Sequence, residues 1–115
     1  MVVDTLTDEQ VDLLFHALAD ATRRDILRRA ISNEHSVSNL ASGYEMSFAA
    51  VQKHVAVLER AGLVSKRHQG RERLVRTDVA TINQASELLD QFEEMWQNRV
   101  RQMSELLAME TGGTP

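Results

Sequence analysis

Apolar positions recur at helical spacing over the first half of the chain, alternate briefly after residue 63, and return to helical spacing near the end. Thr7 can cap a helix whose first turn holds Asp8 and Glu9, acids suited to the positive end of a helix dipole. Val11, Leu14, Phe15 and Leu18 follow at i, i+3, i+4 and i+7, a single predicted stripe. Asp20 or Thr22 starts a second helix that buries Ile26, Leu27 and Ala30, and Asn33-Glu34-His35 reads as a loop. Ser36 caps a short third helix bearing Val37, Leu40 and Ala41, which stops near Gly43, expected there for unusual backbone angles. Ser47 caps a fourth helix running to about Ala61, and Gly62 ends it.

From Leu63 the period drops to two. Residues 63–68, a Gln69-Gly70 turn and residues 71–77 predict a two-stranded hairpin. A last helix is predicted over roughly 79–108, with Leu88, Phe92, Met95, Trp96, Val100, Met103 and Leu107 along one side. The expected organisation is an N-terminal arm (1–6), one domain over 7–108 and a flexible tail over 109–115. Within the domain, residues 20–78 form a core and residues 8–19 and 79–108 are flanking helices. The fold class is mainly α with a small β-hairpin.

Length and composition agree with one globular domain: 115 residues, 43% hydrophobic and 26% charged. Cysteine is absent, which excludes disulfides, thiolate metal sites and cysteine nucleophiles. The start lacks the basic and apolar regions of a signal peptide, and no apolar run is long enough to span a bilayer, so a cytoplasmic location is expected. The net charge of −4 is unevenly spread. Residues 20–76 carry eleven Lys/Arg against six acids, a net +5, while the two ends carry two Arg against eleven acids, a net −9. That distribution allows an electropositive face on an acidic body, although scattered surface charge would give the same count.

A short helix, a tight turn, a second helix and a basic hairpin follow one another in the order of a winged helix-turn-helix. The second helix of such a pair presents small or polar side chains to the major groove while its other face stays packed. Val51, Val55 and Leu58 share one face of the fourth helix, which leaves Ser47, Phe48, Ala49, Gln52 and Lys53 outward, with His54 beside them. Gln52 suits adenine and Lys53 suits guanine or phosphate. Lys66, Arg67, Arg71 and Arg73 cluster around the hairpin turn, a cation group for the DNA backbone or an adjacent minor groove.

Three blocks carry a family resemblance: Leu18-Ala-Asp-Ala-Thr-Arg-Arg-Asp-Ile-Leu27, Met46-Ser-Phe-Ala-Ala-Val-Gln-Lys-His-Val-Ala-Val-Leu-Glu-Arg-Ala-Gly-Leu-Val64 and Gly70-Arg-Glu-Arg-Leu-Val-Arg76. Together they resemble the arsenic-repressor (ArsR) family, closely over residues 14–78 and more loosely along the last helix. The resemblance implies a homodimeric repressor that binds a palindromic site in double-stranded DNA, often in its own promoter. It also implies a wing at residues 63–77 and dimerisation through the first and last helices. Metal-sensing members often carry Cys-Val-Cys where this chain has Ser36-Val37-Ser38, and others use histidines of the last helix, where none follows His68. The chain is similar instead to a branch without recognised metal ligands, and neither a metal nor a cofactor is expected.

A dimer also follows from length. A helix of about 30 residues is roughly 45 Å long, more than a small core can cover. A second copy would bury its apolar row, giving an expected interface of Val11, Leu14, Phe15, Leu88, Phe92, Met95, Trp96 and Met103. The same row can be read as a pocket for an apolar small-molecule inducer, and the winged helix as a protein-binding module. His16, His35, His54 and His68 are dispersed; His16 is expected to be a partly buried, hydrogen-bonded residue. His54 is read equally as a phosphate contact or as packing between helices. Asp90, Glu93 and Glu94 suit a solvated helix face, and Ser32, Ser36, Ser38 and Ser47 have no His/Asp context, so no enzyme is expected.

Overall fold

The computed structural model describes residues 5–112. Its elements are α1 (Asp8–Leu18), α2 (Ala21–Ser32), β1 (His35–Ser36), α3 (Val37–Ser42), α4 (Phe48–Arg60), β2 (Val64–Gln69), β3 (Glu72–Thr77) and α5 (Val79–Gly112). Two compact units divide the chain after Gln84.

Each of the first four helices begins where a side-chain oxygen meets a free backbone N–H. Thr7 accepts from the Gln10 amide, and the Gln10 side chain accepts from the Thr7 amide, a reciprocal capping box. Asp20, Ser36 and Ser47 accept from Arg23, Asn39 and Ala50 in the same i+3 manner. Such a cap typically contributes about 1 kcal/mol, enough to decide where a short helix such as α3 starts.

The core of the first unit draws on α1, α2, α3, α4, β2 and β3, with Leu63 between α4 and β2. Leu14, Ile26, Leu40, Val51, Leu58, Leu63 and Val75 are all 1% exposed or less. On α1 the inward residues are Leu14 and Ala17, while Phe15 is 40% exposed and Leu13 38%. The expected single stripe is therefore split. Leu14 belongs to the protomer's own interior and is not available to a dimer contact, because burial within one chain removes its surface. Val11 is half-buried and Phe15 stays accessible. His16 is exposed rather than partly buried, since it lies on the α1 face away from Leu14 and Ala17.

The hairpin is part of a larger sheet. Three antiparallel strands run in the order β1-β3-β2, with His35 opposite Val75 and Ser36 opposite Leu74. Two residues are too short a strand to show alternation, which is why this stretch reads as a loop in sequence. Gln69 pairs with Glu72, so the two-residue turn is Gly70-Arg71, one position later than expected.

Gly62 closes α4 with φ 78°. The Leu63 amide donates to the Leu58 carbonyl at 3.0 Å and the Gly62 amide to the Glu59 carbonyl at 3.0 Å. This is the Schellman pattern, with buried Leu58 and Leu63 as its apolar pair. Gly43, in contrast, has an ordinary φ of −88°. Its lack of a side chain matters because the Arg29 guanidinium packs where a Cβ would stand.

The second unit, residues 85–112 of the described chain, is helix throughout. α5 thus runs four residues beyond the expected end at 108 and takes in part of the expected tail. Residues 113–115 of that tail and residues 1–4 of the expected arm lie outside the described residues. Leu89, Phe92, Met95 and Trp96 are 54–66% exposed, Met103 is 40% exposed and Leu88 is half-buried.

Gly62→Ala should lower stability by about 1–2 kcal/mol, because a side chain is forced into the left-handed region and its Cβ would stand 3.2 Å from Thr81 Oγ1. Urea unfolding measures this, and an unchanged midpoint would show that the α4 end relaxes at no cost.

Candidate nucleic-acid interface

α4 is held by its apolar face and offers the other. Val51, Val55 and Leu58 are fully buried, whereas Ser47, Phe48, Ala49, Gln52 and Lys53 are exposed. The Ser47 hydroxyl accepts from the Ala50 amide at 3.1 Å, so its first task is to start the helix.

The turn before α4 is anchored from a distance. The Tyr44 hydroxyl donates to Asp25 Oδ2 at 2.6 Å, and Arg29 Nε donates to the same oxygen at 3.2 Å. The Arg29 guanidinium also lies 4.7 Å from the centre of the Tyr44 ring, a cation–π contact. The Tyr44 hydrogen bond, with help from Arg29 and Arg28 and against the effect of burial, holds the Asp25 carboxyl below the usual carboxylate range. Burial, reinforced by the Asp25 bond, pushes the Tyr44 phenol up to about 12. Nothing in the local pattern around Tyr44 reveals this cluster, since its partners lie 15 or more residues earlier.

Arg23 clamps the end of α1. Its Nε donates to the Ala17 carbonyl at 2.8 Å and its Nη2 to the His16 carbonyl at 2.9 Å, while Nη1 lies 3.3 Å from His54 Nδ1. Of the two roles weighed for His54, this contact supports packing between helices. The ring nitrogen facing Arg23 is engaged and only Nε2 faces elsewhere.

The wing is tied to the rest of the first unit at three points. β1 pairs with β3, Arg67 Nε donates to Glu34 Oε2 at 2.7 Å, and Lys66 Nζ lies 3.7 Å from Glu59 Oε1. The Lys66 side chain is only 19% exposed and sits opposite buried Val75. Two of the four expected wing cations therefore have internal carboxylate partners. The Arg71 and Arg73 side chains are exposed and have no ion pair or hydrogen bond among the described residues.

The outward side of α4 and the wing meet. A cleft of about 220 Å³ is lined by Ser36, Val37 and Ser38 from the start of α3, Phe48 and Gln52 from α4, and Lys66, Arg71, Glu72 and Arg73 from the wing. Five of the ten expected contact residues, Phe48, Gln52, Lys66, Arg71 and Arg73, line this cleft, while Ser47, Ala49, Lys53, His54 and Arg67 lie outside the lining. Ser36, Val37, Ser38 and Glu72 are additions the sequence reading did not make.

Comparison with known proteins agrees with this geometry. The family model for a helix-turn-helix domain matches residues 18–67. The HTH-type transcriptional regulator Rv2034 of Mycobacterium tuberculosis is 36% identical over 81 residues, covering 70% of this chain and 76% of the relative. The transcriptional activator HlyU of Vibrio cholerae is 34% identical over 77 residues, covering 67% and 71%. Among solved structures, an ArsR-like transcriptional regulator from Rhodococcus sp. RHA1 superposes with a TM-score of 0.77 at 30% identity, covering 85% of this chain and 92% of that one.

The fold and site define a winged helix-turn-helix transcriptional regulator. The chain belongs to the ArsR family.

Residues 36–38 do not fit a thiolate metal site. Ser36 and Ser38 supply neutral hydroxyls, and Ser36 Oγ already accepts from the Asn39 amide at 3.0 Å. Among the described residues no group of three or more His, Cys, Asp or Glu is placed to hold a metal ion.

Tyr44→Phe tests the anchor. The lowered Asp25 value stabilises the fold above the carboxylate range and is lost as pH falls through it; the raised Tyr44 value stabilises below about 10 and is lost as pH rises towards 12. The variant should be about 1 kcal/mol less stable at pH 7, with the gap closing at both extremes. Urea midpoints measured from pH 2.5 to 11 check this, and a gap independent of pH would remove the Asp25 bond as its source.

Proposed function

We propose that this chain is a homodimeric repressor acting in the cytoplasm on a palindromic operator in its own promoter. The observation that carries the reading is the shared cleft, where Gln52 of α4 and the unpartnered Arg71 and Arg73 of the wing meet on one surface. A helix in the major groove with a cationic loop beside it is what that surface fits: Gln52 reads a base edge while the two arginines hold phosphates. Lys53, exposed on the same helix, adds a further cation. The role is one of binding rather than catalysis.

The dimer is supported by accessible apolar side chains at both expected contact elements. Phe15 on α1 and Leu89, Phe92, Met95 and Trp96 on α5 are 40–66% exposed, an arrangement costly in water and relieved by a second copy. A two-fold pair presents two α4 helices to major grooves about one DNA turn apart. Repression follows when such a dimer covers the promoter it occupies. Footprinting on the upstream promoter tests binding, palindromy and autoregulation together. Higher reporter expression when the protein is deleted supports repression, and lower expression assigns the activating role that the Vibrio relative's name carries.

Arg71→Ala should weaken binding to all duplexes alike and reduce the slope of log affinity against log salt by about two in the dimer. Arg67→Ala should reduce it by less, because Glu34 already neutralises that charge. Gln52→Ala should instead narrow the gap between operator and random DNA. Gel shifts over a salt series separate the three. Equal slopes for the Arg71 and Arg67 variants would contradict this division of labour.

A further inference from the structure

Phe48 stands apart from its surroundings. It is the first residue of α4 and 46% exposed. Between Ser32 and Asp78 it is the only exposed large apolar side chain among the described residues. Its neighbours around the cleft are mostly hydroxyl, amide and charged groups, including Ser36, Ser38, Gln52, Arg71 and Arg73. Val51, one turn's face away, fills the core, so the fold gains little from an aromatic ring at this outward position.

The ring's place on α4 limits what it can meet. Phe48 and Gln52 are four residues apart, about 6 Å along the axis and roughly 40° around it. Base pairs stack about 3.4 Å apart, so the two side chains reach edges one or two base pairs from each other. Adenine, guanine and cytosine show nitrogen and oxygen donors or acceptors in the major groove, and thymine alone adds an apolar group, its C5 methyl. A phenyl ring pressed on a polar edge strips its water and returns no hydrogen bond, which is unfavourable. Against the methyl it buries apolar surface on both partners. Exposed Ala49 beside it keeps the approach open.

We infer that Phe48 reads thymine: its ring packs on the C5 methyl of a thymine one or two base pairs from the base that Gln52 contacts, so each operator half-site carries a thymine at that spacing. The inference rests on α4 lying in the major groove, as proposed above.

The test uses the full chain and begins by selecting bound sequences from a random duplex pool. The enriched site is then synthesised with deoxyuridine replacing each thymine in turn, which deletes one methyl and keeps every hydrogen-bonding group. At one thymine position per half-site, affinity should fall about four-fold, and about fifteen-fold when both half-sites are changed, the effect of losing one and two buried methyl groups. Phe48→Ala should bind the thymine and uracil duplexes alike, with an unchanged salt slope showing that the wing still engages. Gln52→Ala should keep the methyl penalty.

An enriched site at which no uracil costs affinity overturns the inference, as does a penalty that persists in Phe48→Ala. A Phe48→Ala loss of equal size on both duplexes also overturns it and assigns the ring a wedge role between base steps. Each of those results leaves DNA binding standing. A pool that yields no enriched sequence overturns the proposed function, and this inference with it.

Discussion

Because Ser36 pairs through its backbone with Leu74 and caps α3 through its hydroxyl, one residue serves both the sheet and the helix-turn-helix. A helix start and a strand that share a residue cannot move independently. The wing is thereby placed beside the reading helices, and the cleft between Gln52 and Arg73 follows from that placement. The Glu34–Arg67 and Glu59–Lys66 pairs add restraint at the neighbouring positions. Neither pair is fully buried, and ion pairs that water still reaches contribute little stability individually. Their larger consequence is orientation, since one joins β2 to the segment between α2 and β1 and the other joins it to α4.

Eight of the thirteen basic residues fall into two groups, one engaged within the fold and one left open to solvent. Arg23, Arg24 and Arg29 bond to helix-end carbonyls or to Asp25, and Lys66 and Arg67 bond to carboxylates. Lys53, Arg71 and Arg73 are exposed and carry no such partner among the described residues. An overall charge of −4 is therefore compatible with a local cationic surface, because Arg71 and Arg73 line one cleft and most of the excess acid lies towards the chain ends. Phosphate responds to the field at the contact, which decays over about 10 Å at moderate salt, rather than to the sum over the molecule.

The apolar side chains of α5 set a different constraint. Residues 85–112 form a helix whose Phe92, Met95 and Trp96 are more than half exposed. A row of this kind suits association far better than life in water. The same spacing that makes it legible in sequence leaves its use open there, since seam and pocket lining share one periodicity.

The amino-acid sequence alone determined the features that depend on residues three or four apart. These are the caps at Thr7, Ser36 and Ser47, the buried face of α4, the end of α4 at Gly62 and the switch of period into the hairpin, whereas the choice of Asp20 over Thr22 as the α2 cap came from the structure. Tertiary structure decided what depends on distant partners. Tyr44 meets Asp25 across 19 positions, Arg23 meets His54 across 31, and Arg67 meets Glu34 across 33. Such contacts settled that β1 is a strand, that Leu14 faces inward while Phe15 does not, and that two of the four wing cations are already paired. The reason is physical: local backbone geometry brings near neighbours together in any helix or turn, whereas distant side chains meet only after the whole core has packed.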